Sequence, residues 1–147
     1  MPTLSVCMMV QNAEKTLAMA LESLERVYDE LIVVDGGSTD STTSIALNYG
    51  AKLINSPWTG NHSQQRNIYL KHVSSDWVFV LDSDEFIDRN TLKFLNFIKQ
   101  QSKNLDSDNF WIPRKWITPF SKKHYITSLP HYPDYQRRLF KLNSDIY

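Results

Sequence analysis

The sequence predicts an α/β fold: a mostly parallel central sheet flanked by helices. Three observations predict it. Short apolar runs alternate with segments of helical periodicity over most of the chain, the pattern of strand–helix–strand units with right-handed crossovers. The runs are apolar at successive positions, as in strands buried on both faces. Three of them stop abruptly in polar clusters, at Gln11 to Glu14, at Asp35 to Asp40 and at Asp82 to Glu85.

Taken in order, Leu4 to Val10 is apolar and reads as the first strand. Glu14 to Arg26 follows as a helix, with Leu17, Ala20, Leu21 and Leu24 at helical spacing. Leu31 to Val34 is the second strand and ends on Asp35. Gly36-Gly37-Ser38-Thr39-Asp40 is a turn cluster, and Ser41 to Tyr49 is a short helix closed by Gly50. Lys52 to Asn55 is the third strand, Ser56 to Gly60 a loop, Asn61 to Val73 a polar-faced helix and Asp76 to Leu81 the fourth strand. Thr91 to Gln101 is helical, with Phe94, Leu95 and Ile98 on one side. Phe110 to Ile117 and Tyr135 to Leu142 read as further strands. Between them Thr118 to Pro133 is expected to be a long irregular segment, and its Phe120, Tyr125 and Tyr132 favour a binding loop.

The 147 residues fit one domain, in which the strand–helix alternation of residues 1–88 gives way to a different character over 89–147. Sixteen Lys and Arg balance sixteen Asp and Glu, so the formal net charge is zero, which argues against nucleic acid as a partner. The single cysteine, Cys7, lies in an apolar run and reads as a buried thiol, consistent with a cytoplasmic location. No apolar stretch approaches the length of a membrane span, and no signal-peptide pattern is visible.

The chemistry concentrates in Val78-Phe79-Val80-Leu81-Asp82-Ser83-Asp84-Glu85. Open α/β sheets bind ligands at the carboxyl ends of their strands, and this strand ends in three acids within four positions. Asp82 and Asp84 lie two residues apart in a tight turn, so both can face one space. Mg²⁺-like cations bind through one or two carboxylates plus substrate phosphate oxygens, and the spacing suits such a metal–diphosphate site. A solvated acidic turn capping the next helix is the competing reading. Asn12 and Glu14 can equally cap the first helix, and Ser38 or Asp40 the second. Arg66 supplies a cation near the phosphates or is an ordinary surface residue. The functional reading rests on all three loops carrying acids or amides at one sheet edge, where a carboxylate can accept from a base N–H.

At this point the chain resembles family 2 glycosyltransferases, which use an A-type, Rossmann-like nucleotide-diphospho-sugar transferase fold. More narrowly it is similar to lipopolysaccharide-core β-1,4-glucosyltransferases. The resemblance rests on Ser5-Val6-Cys7-Met8-Met9-Val10-Gln11-Asn12 and on Ile32 through Thr42. Trp58-Thr59-Gly60, Gln65-Arg66-Asn67 and Asp76-Trp77-Val78 continue it, followed by Leu81 through Glu85 and Tyr132 through Phe140. It implies that Val10, Asn12, Glu14, Asp35, Ser38, Arg66, Asp82, Ser83 and Asp84 contact the nucleotide sugar, with Asp35 reading the uracil. It implies a divalent metal, Mg²⁺ or Mn²⁺, on Asp84 with Asp82 nearer the ribose and diphosphate. It divides the chain into a nucleotide-sugar-binding half, 1–88, and the start of an acceptor-side half, 89–147, in which Gln136, Arg137 and Arg138 fall. Ala13 stands where the family often has Glu. The chain stops at Tyr147, before the His-Glu pair and membrane-proximal helices usual in the family. No residue matches the family's base; Asp134 and Asp145 are the available acids.

The leading expectation is an inverting enzyme that moves a sugar, glucose or a related hexose, from a UDP-sugar to a saccharide or lipid-linked saccharide acceptor. Its location would be cytoplasmic, at the inner face of the membrane if the missing part attaches it there. The alternatives are a nucleotide-sugar-binding fragment without turnover and a sugar-phosphate nucleotidyltransferase. The second of these wants a Gly-rich loop after the first strand, where Gln11-Asn12-Ala13-Glu14 has no glycine.

Overall fold

The computed structural model describes residues 1–101, 105–118, 121–125 and 133–142. Asp145, Phe120 and Tyr132 lie outside them, as does the side chain of Tyr125. A six-stranded sheet runs β3-β2-β1-β4-β8-β5, built from β1 (Leu4–Val10), β2 (Glu30–Asp35), β3 (Lys52–Asn55), β4 (Trp77–Val80), β5 (Asn109–Arg114) and β8 (Asp134–Lys141). The first four pair in parallel; β8 is antiparallel to both β4 and β5. The mostly parallel sheet is thus as expected.

Alternate residues of each central strand enter two different cores. Leu4, Val6, Met8 and Val10 of β1, with Leu31, Val33, Trp77, Phe79 and Leu139, form the larger one. It is covered by Leu17, Ala20 and Leu21 of α1 (Leu17–Ser23), Ala46 of α2 (Thr42–Asn48), and Leu95 and Ile98 of α4 (Arg89–Gln101). Cys7, Ile32, Val34, Val78, Val80 and Phe140 face the other way, against Tyr69 of α3 (His62–Leu70). Burial raises the pKa of the Cys7 thiol well above its ordinary value, so it stays protonated as a small core hydrophobe.

Helix α1 is shorter than its apolar spacing suggests, because Glu25 and Arg26 take left-handed conformations at φ 45° and 58° and turn the chain toward β2. The strand expected over Phe110 to Ile117 is two: β5 ends at Arg114, and β6 (Ile117–Thr118) pairs with β7 (Ser121–Tyr125) as a separate antiparallel ribbon. This corrects the expectation of an irregular segment from Thr118, since a polar, lysine-bearing run gave no apolar alternation to mark a strand. Pro113 lies in β5, an edge strand, where a missing N–H is tolerated.

The chain start is fixed to the start of β4. Asp76 accepts from the Thr3 amide at 2.7 Å and hydroxyl at 3.0 Å. The Thr3 amide and hydroxyl hold its carboxyl below the ordinary aspartate range. A lowered folded-state pKa stabilises above the unfolded value and is lost as pH falls through the folded one. Asp76→Asn should therefore lower stability at pH 7, by roughly 1 kcal/mol at most because solvent screens this exposed group. In urea titrations the gap between variant and wild type should close below about pH 4; a gap that persists at pH 2 would refute the assignment.

Candidate functional site

A parallel sheet has its crevice where successive connections leave in opposite directions, outside the carboxyl ends of the strands. Here that point lies at β1, whose neighbours are β2 on one side and β4 on the other. A cleft of about 300 Å³ opens there. Its walls are Met9, Val10 and Gln11 from the end of β1, Val34 and Gly36 around the end of β2, and Asp82 and Ser83 after β4. Trp58, His62, Gln65 and Arg66, from the loop after β3 and from α3, close the other side. The three polar strand ends thus meet in one place.

Gly36 draws the walls together. Its amide donates to Val10 O at 2.8 Å and its carbonyl accepts from the Trp58 amide at 3.0 Å. A Cβ there would stand 3.4 Å from Gln11 Cβ and 3.5 Å from Trp58 Cβ, at ordinary contact distance, so the backbone bonds and not the missing side chain bring the walls together. Trp58 meets His62 edge to face, with ring centroids 4.6 Å apart.

Of the residues singled out in the sequence, Val10, Arg66, Asp82 and Ser83 line the cleft. Asn12, Glu14 and Ser38 instead brace the first two loops against each other, and the Asp35 carboxylate holds its own turn. Asn12, in a left-handed conformation at φ 49°, accepts from the Thr39 amide at 2.8 Å and donates its own amide to Ser38 Oγ at 2.9 Å. Glu14 accepts from the Ser41 amide at 3.1 Å. Asp35 is buried and accepts from the Gly37 and Ser38 amides and the Ser38 hydroxyl. None of Asn12, Glu14 and Ser38 caps α1 or α2, whereas Asp40 Oδ1 accepts from the amide of Thr42, the first residue of α2, at 2.9 Å.

The acidic turn after β4 divides in two. Asp84 is exposed, and among the described residues its carboxylate takes no hydrogen bond or ion pair. Asp82 and Glu85 are tied to Arg138, whose Nη2 lies 2.9 Å from Asp82 Oδ2 and 2.7 Å from Glu85 Oε1. Arg138 is 8% exposed, and Glu85 sits deep enough that burial raises its pKa, with Arg138 opposing the shift. Arg138 reaches this position through a bulge. Phe110 opposes Leu139 and Trp111 opposes Arg137, so Arg138 is the extra residue of β8. Arg137 is exposed opposite Trp111, and Gln136 donates to Asp134. Asp134, the candidate base, also takes Arg114 at 2.8 Å and the Trp116 indole N–H at 3.3 Å. The Gln136 amide, followed by Arg114, holds its pKa below the ordinary range.

Residues 5–143 match the model of glycosyl transferase family 2. The chain belongs to that family. An uncharacterized glycosyltransferase of Haemophilus influenzae is 34% identical over 144 residues, covering 88% of this chain and 58% of its own length. The lipopolysaccharide core biosynthesis glycosyltransferase LpsC of Rhizobium meliloti is 34% identical over 91 residues, 58% of this chain and 33% of that protein. The chain thus spans between a third and three fifths of the length of these relatives. Among solved structures, glucosyl-3-phosphoglycerate synthase of Mycobacterium tuberculosis, in complex with Mn²⁺, UDP and glucosyl-3-phosphoglycerate, superposes with a TM-score of 0.57. It is 24% identical, covers 74% of this chain and 42% of its own, and shares the fold.

Sequence reasoning named Arg138 without its partners, placed Gln11 in the first of the converging loops, and missed Trp58, His62 and Gln65 as walls of the glycosyltransferase cleft. Trp58 and Gln65 stood within the blocks that carried the family resemblance, and that was the one signal available for them. The Arg138 pairing yields a direct test. Removing one partner of a buried pair strands the other, a loss of about 3–5 kcal/mol. Arg138→Met should therefore lower the urea midpoint sharply, and adding Glu85→Gln should recover part of the loss. Strictly additive effects in this double-mutant cycle would show that the two side chains do not interact.

Proposed function

We propose that the chain is the donor-binding part of an inverting hexosyltransferase. It takes a UDP-sugar, glucose or a related hexose, and passes the sugar to a saccharide acceptor in cell-surface polysaccharide or lipopolysaccharide synthesis. The observation that carries this reading is the meeting of Asp82, Ser83, Arg66 and the ends of β1 and β2 in one cleft. Likeness to LpsC, named for lipopolysaccharide core biosynthesis, supports the acceptor class. No described helix is long and apolar enough to cross a membrane; we place the reaction on the cytoplasmic side.

The carboxylates fit a divalent cation of the Mg²⁺ or Mn²⁺ kind. Among the described residues no group of three or more His, Cys, Asp or Glu forms a cage of its own. Such cations instead use one or two carboxylates and complete their shell with phosphate oxygens and water. Asp84, with its free carboxylate, would be the principal ligand, and Asp82, half engaged by Arg138, would lie nearer the ribose and diphosphate. When bound, the cation offsets charge developing on the departing diphosphate. Arg66, which pairs with none of the described carboxylates, adds a positive charge on the facing wall. Asn12, Glu14, Asp35 and Ser38 shape the nucleotide end of the cleft, with Asp35 toward the base. Gln136, Arg137 and Arg138 mark the acceptor side. Arg138 holds Asp82 in place.

Inversion needs a base to take the acceptor hydroxyl proton from the face opposite the diphosphate. Asp134 is a poor candidate, since three donors engage it and lower its pKa. That favours a second reading, in which this chain binds the donor and transfers sugar slowly or not at all. Calorimetry tests the first step common to both. UDP should bind at least about tenfold more tightly with Mn²⁺ than with chelator, and Asp84→Asn should remove most of the difference. Equal affinity in the two conditions would sink the metal-bridged donor site. UDP release from UDP-glucose with and without a saccharide acceptor then separates the readings, since a complete enzyme with its acceptor works at about 1 s⁻¹ or faster.

A further inference from the structure

Of the large apolar side chains left exposed among the described residues, Trp58 alone lines the cleft, and it is 39% exposed. An apolar residue scattered singly on a surface needs no explanation. One on the wall of a cleft, facing convergent polar groups, presents ring surface where a ligand would lie. The chain fixes this ring in place. The Ser56 amide donates to Asp35 O at 2.8 Å and the Trp58 amide to Gly36 O at 3.0 Å. Gln65 Nε2 donates to Ser56 O at 2.8 Å and to Pro57 O at 3.2 Å, so the residues before Trp58 are held as well. His62 meets the indole at an interplanar angle of 64°, which limits its rotation. An aromatic side chain has only two torsions to lose, so a ring held in this way meets a flat partner at little further entropic cost.

The position of Trp58 says which part of a donor it meets. The cleft runs from Asp82 and Ser83 after β4, across the end of β1, to Gly36 after β2 and Trp58 in the loop after β3. β4 and β2 flank β1, two strand spacings or about 10 Å apart. A diphosphate held at the acidic turn sends one of its two substituents along this floor toward β2. The transferred sugar has to face the acceptor, which the reading above places at β8, beyond β4. The nucleoside is therefore the part that extends toward β2 and Trp58, and its planar portion is the base.

We propose that Trp58 is a donor-binding residue that selects for a planar base: its indole stacks on the nucleobase of UDP. This rests on the nucleotide-sugar reading above. Stacking joins two π faces and tolerates any base, because it reads flatness and not the hydrogen-bonding edge. The contact therefore favours uracil over a saturated ring with the same edge, and leaves the choice among planar bases to the polar groups of the cleft.

The test is calorimetry on the full chain with Mn²⁺, using UDP, dihydro-UDP and UDP-glucose against wild type, Trp58→Phe and Trp58→Leu. Dihydro-UDP keeps the imide and carbonyl edge of the base and lacks its planar aromatic face. Wild type should bind it severalfold more weakly than UDP. Trp58→Leu should bind UDP roughly tenfold more weakly than wild type and should bind UDP and dihydro-UDP alike. Trp58→Phe should keep most of the affinity and the preference, since a second aromatic ring restores the stack. If Trp58→Leu weakens UDP and dihydro-UDP by one common factor, the substitution has merely moved the loop and the proposal fails. It fails too if that variant binds UDP as wild type does. A loss confined to UDP-glucose would put the ring against the transferred sugar and overturn the base contact. Should Trp58→Leu not fold, the wild-type arm decides, since equal binding of UDP and dihydro-UDP refutes stacking. A wild type that binds no UDP at all overturns the nucleotide-sugar reading itself, a distinguishable result.

Discussion

Two carboxylates at the end of β4, Asp82 and Glu85, share one nearly buried guanidinium. Removing acids from water at the edge of a sheet is unfavourable unless a cation comes with them. Arg138 is that cation, and it comes from a strand running the opposite way, 56 positions later in the chain. The pairing has consequences on both sides. It holds the acidic turn at the cleft while leaving Asp84 free, and it joins the late antiparallel strands to the parallel half of the sheet. Arg114 extends the network, lying 3.5 Å from Glu85 and 2.8 Å from Asp134.

The bulge in β8 makes this arrangement possible. In a regular ladder, consecutive side chains point to opposite faces and each opposes one partner. The extra residue lets Leu139 stay in the larger core and Arg137 stay exposed while Arg138 turns to the acids. Bulges re-aim side chains in this way beside functional sites. An Arg-Arg pair in sequence thus splits into two roles, one cation tied to the acidic turn and one exposed opposite Trp111.

The parallel half was legible because its strands are buried on both faces and need no alternation to be seen. Leu4 to Val10, Leu31 to Val34 and the acid-ended β4 stood out for that reason, and so did the convergence of their loops. Side-chain partners were less legible. Asn12 and Glu14 look like helix caps, since accepting a backbone N–H is what caps do; here the accepted N–H groups belong to Thr39 and Ser41 in another loop. The chemistry was readable, but its address depends on tertiary packing. Arg138 required the register of β8 against β5, which no local pattern records. Gln65 read as one more polar residue on a polar helix, because its burial depends on a loop folding over it.

These long-range contacts share a direction. Gly36, the Asp35 carbonyl and the Asn12 side chain each satisfy a backbone group at the end of another strand or in the loop that follows it, so the cleft walls hold one another and not merely the sheet beneath. A site built on such cross-bracing is stiff before a ligand arrives, and stiffness lowers the ordering entropy paid on binding. Within it, the polar atoms left over are informative because nearly everything else is matched. Among them are the exposed Asp84 carboxylate, which takes no hydrogen bond or ion pair among the described residues, and the Arg66 guanidinium, which lines the cleft and pairs with none of the described carboxylates. One suits a cation and the other an anion. A diphosphate carrying a divalent cation presents both chemistries in one molecule.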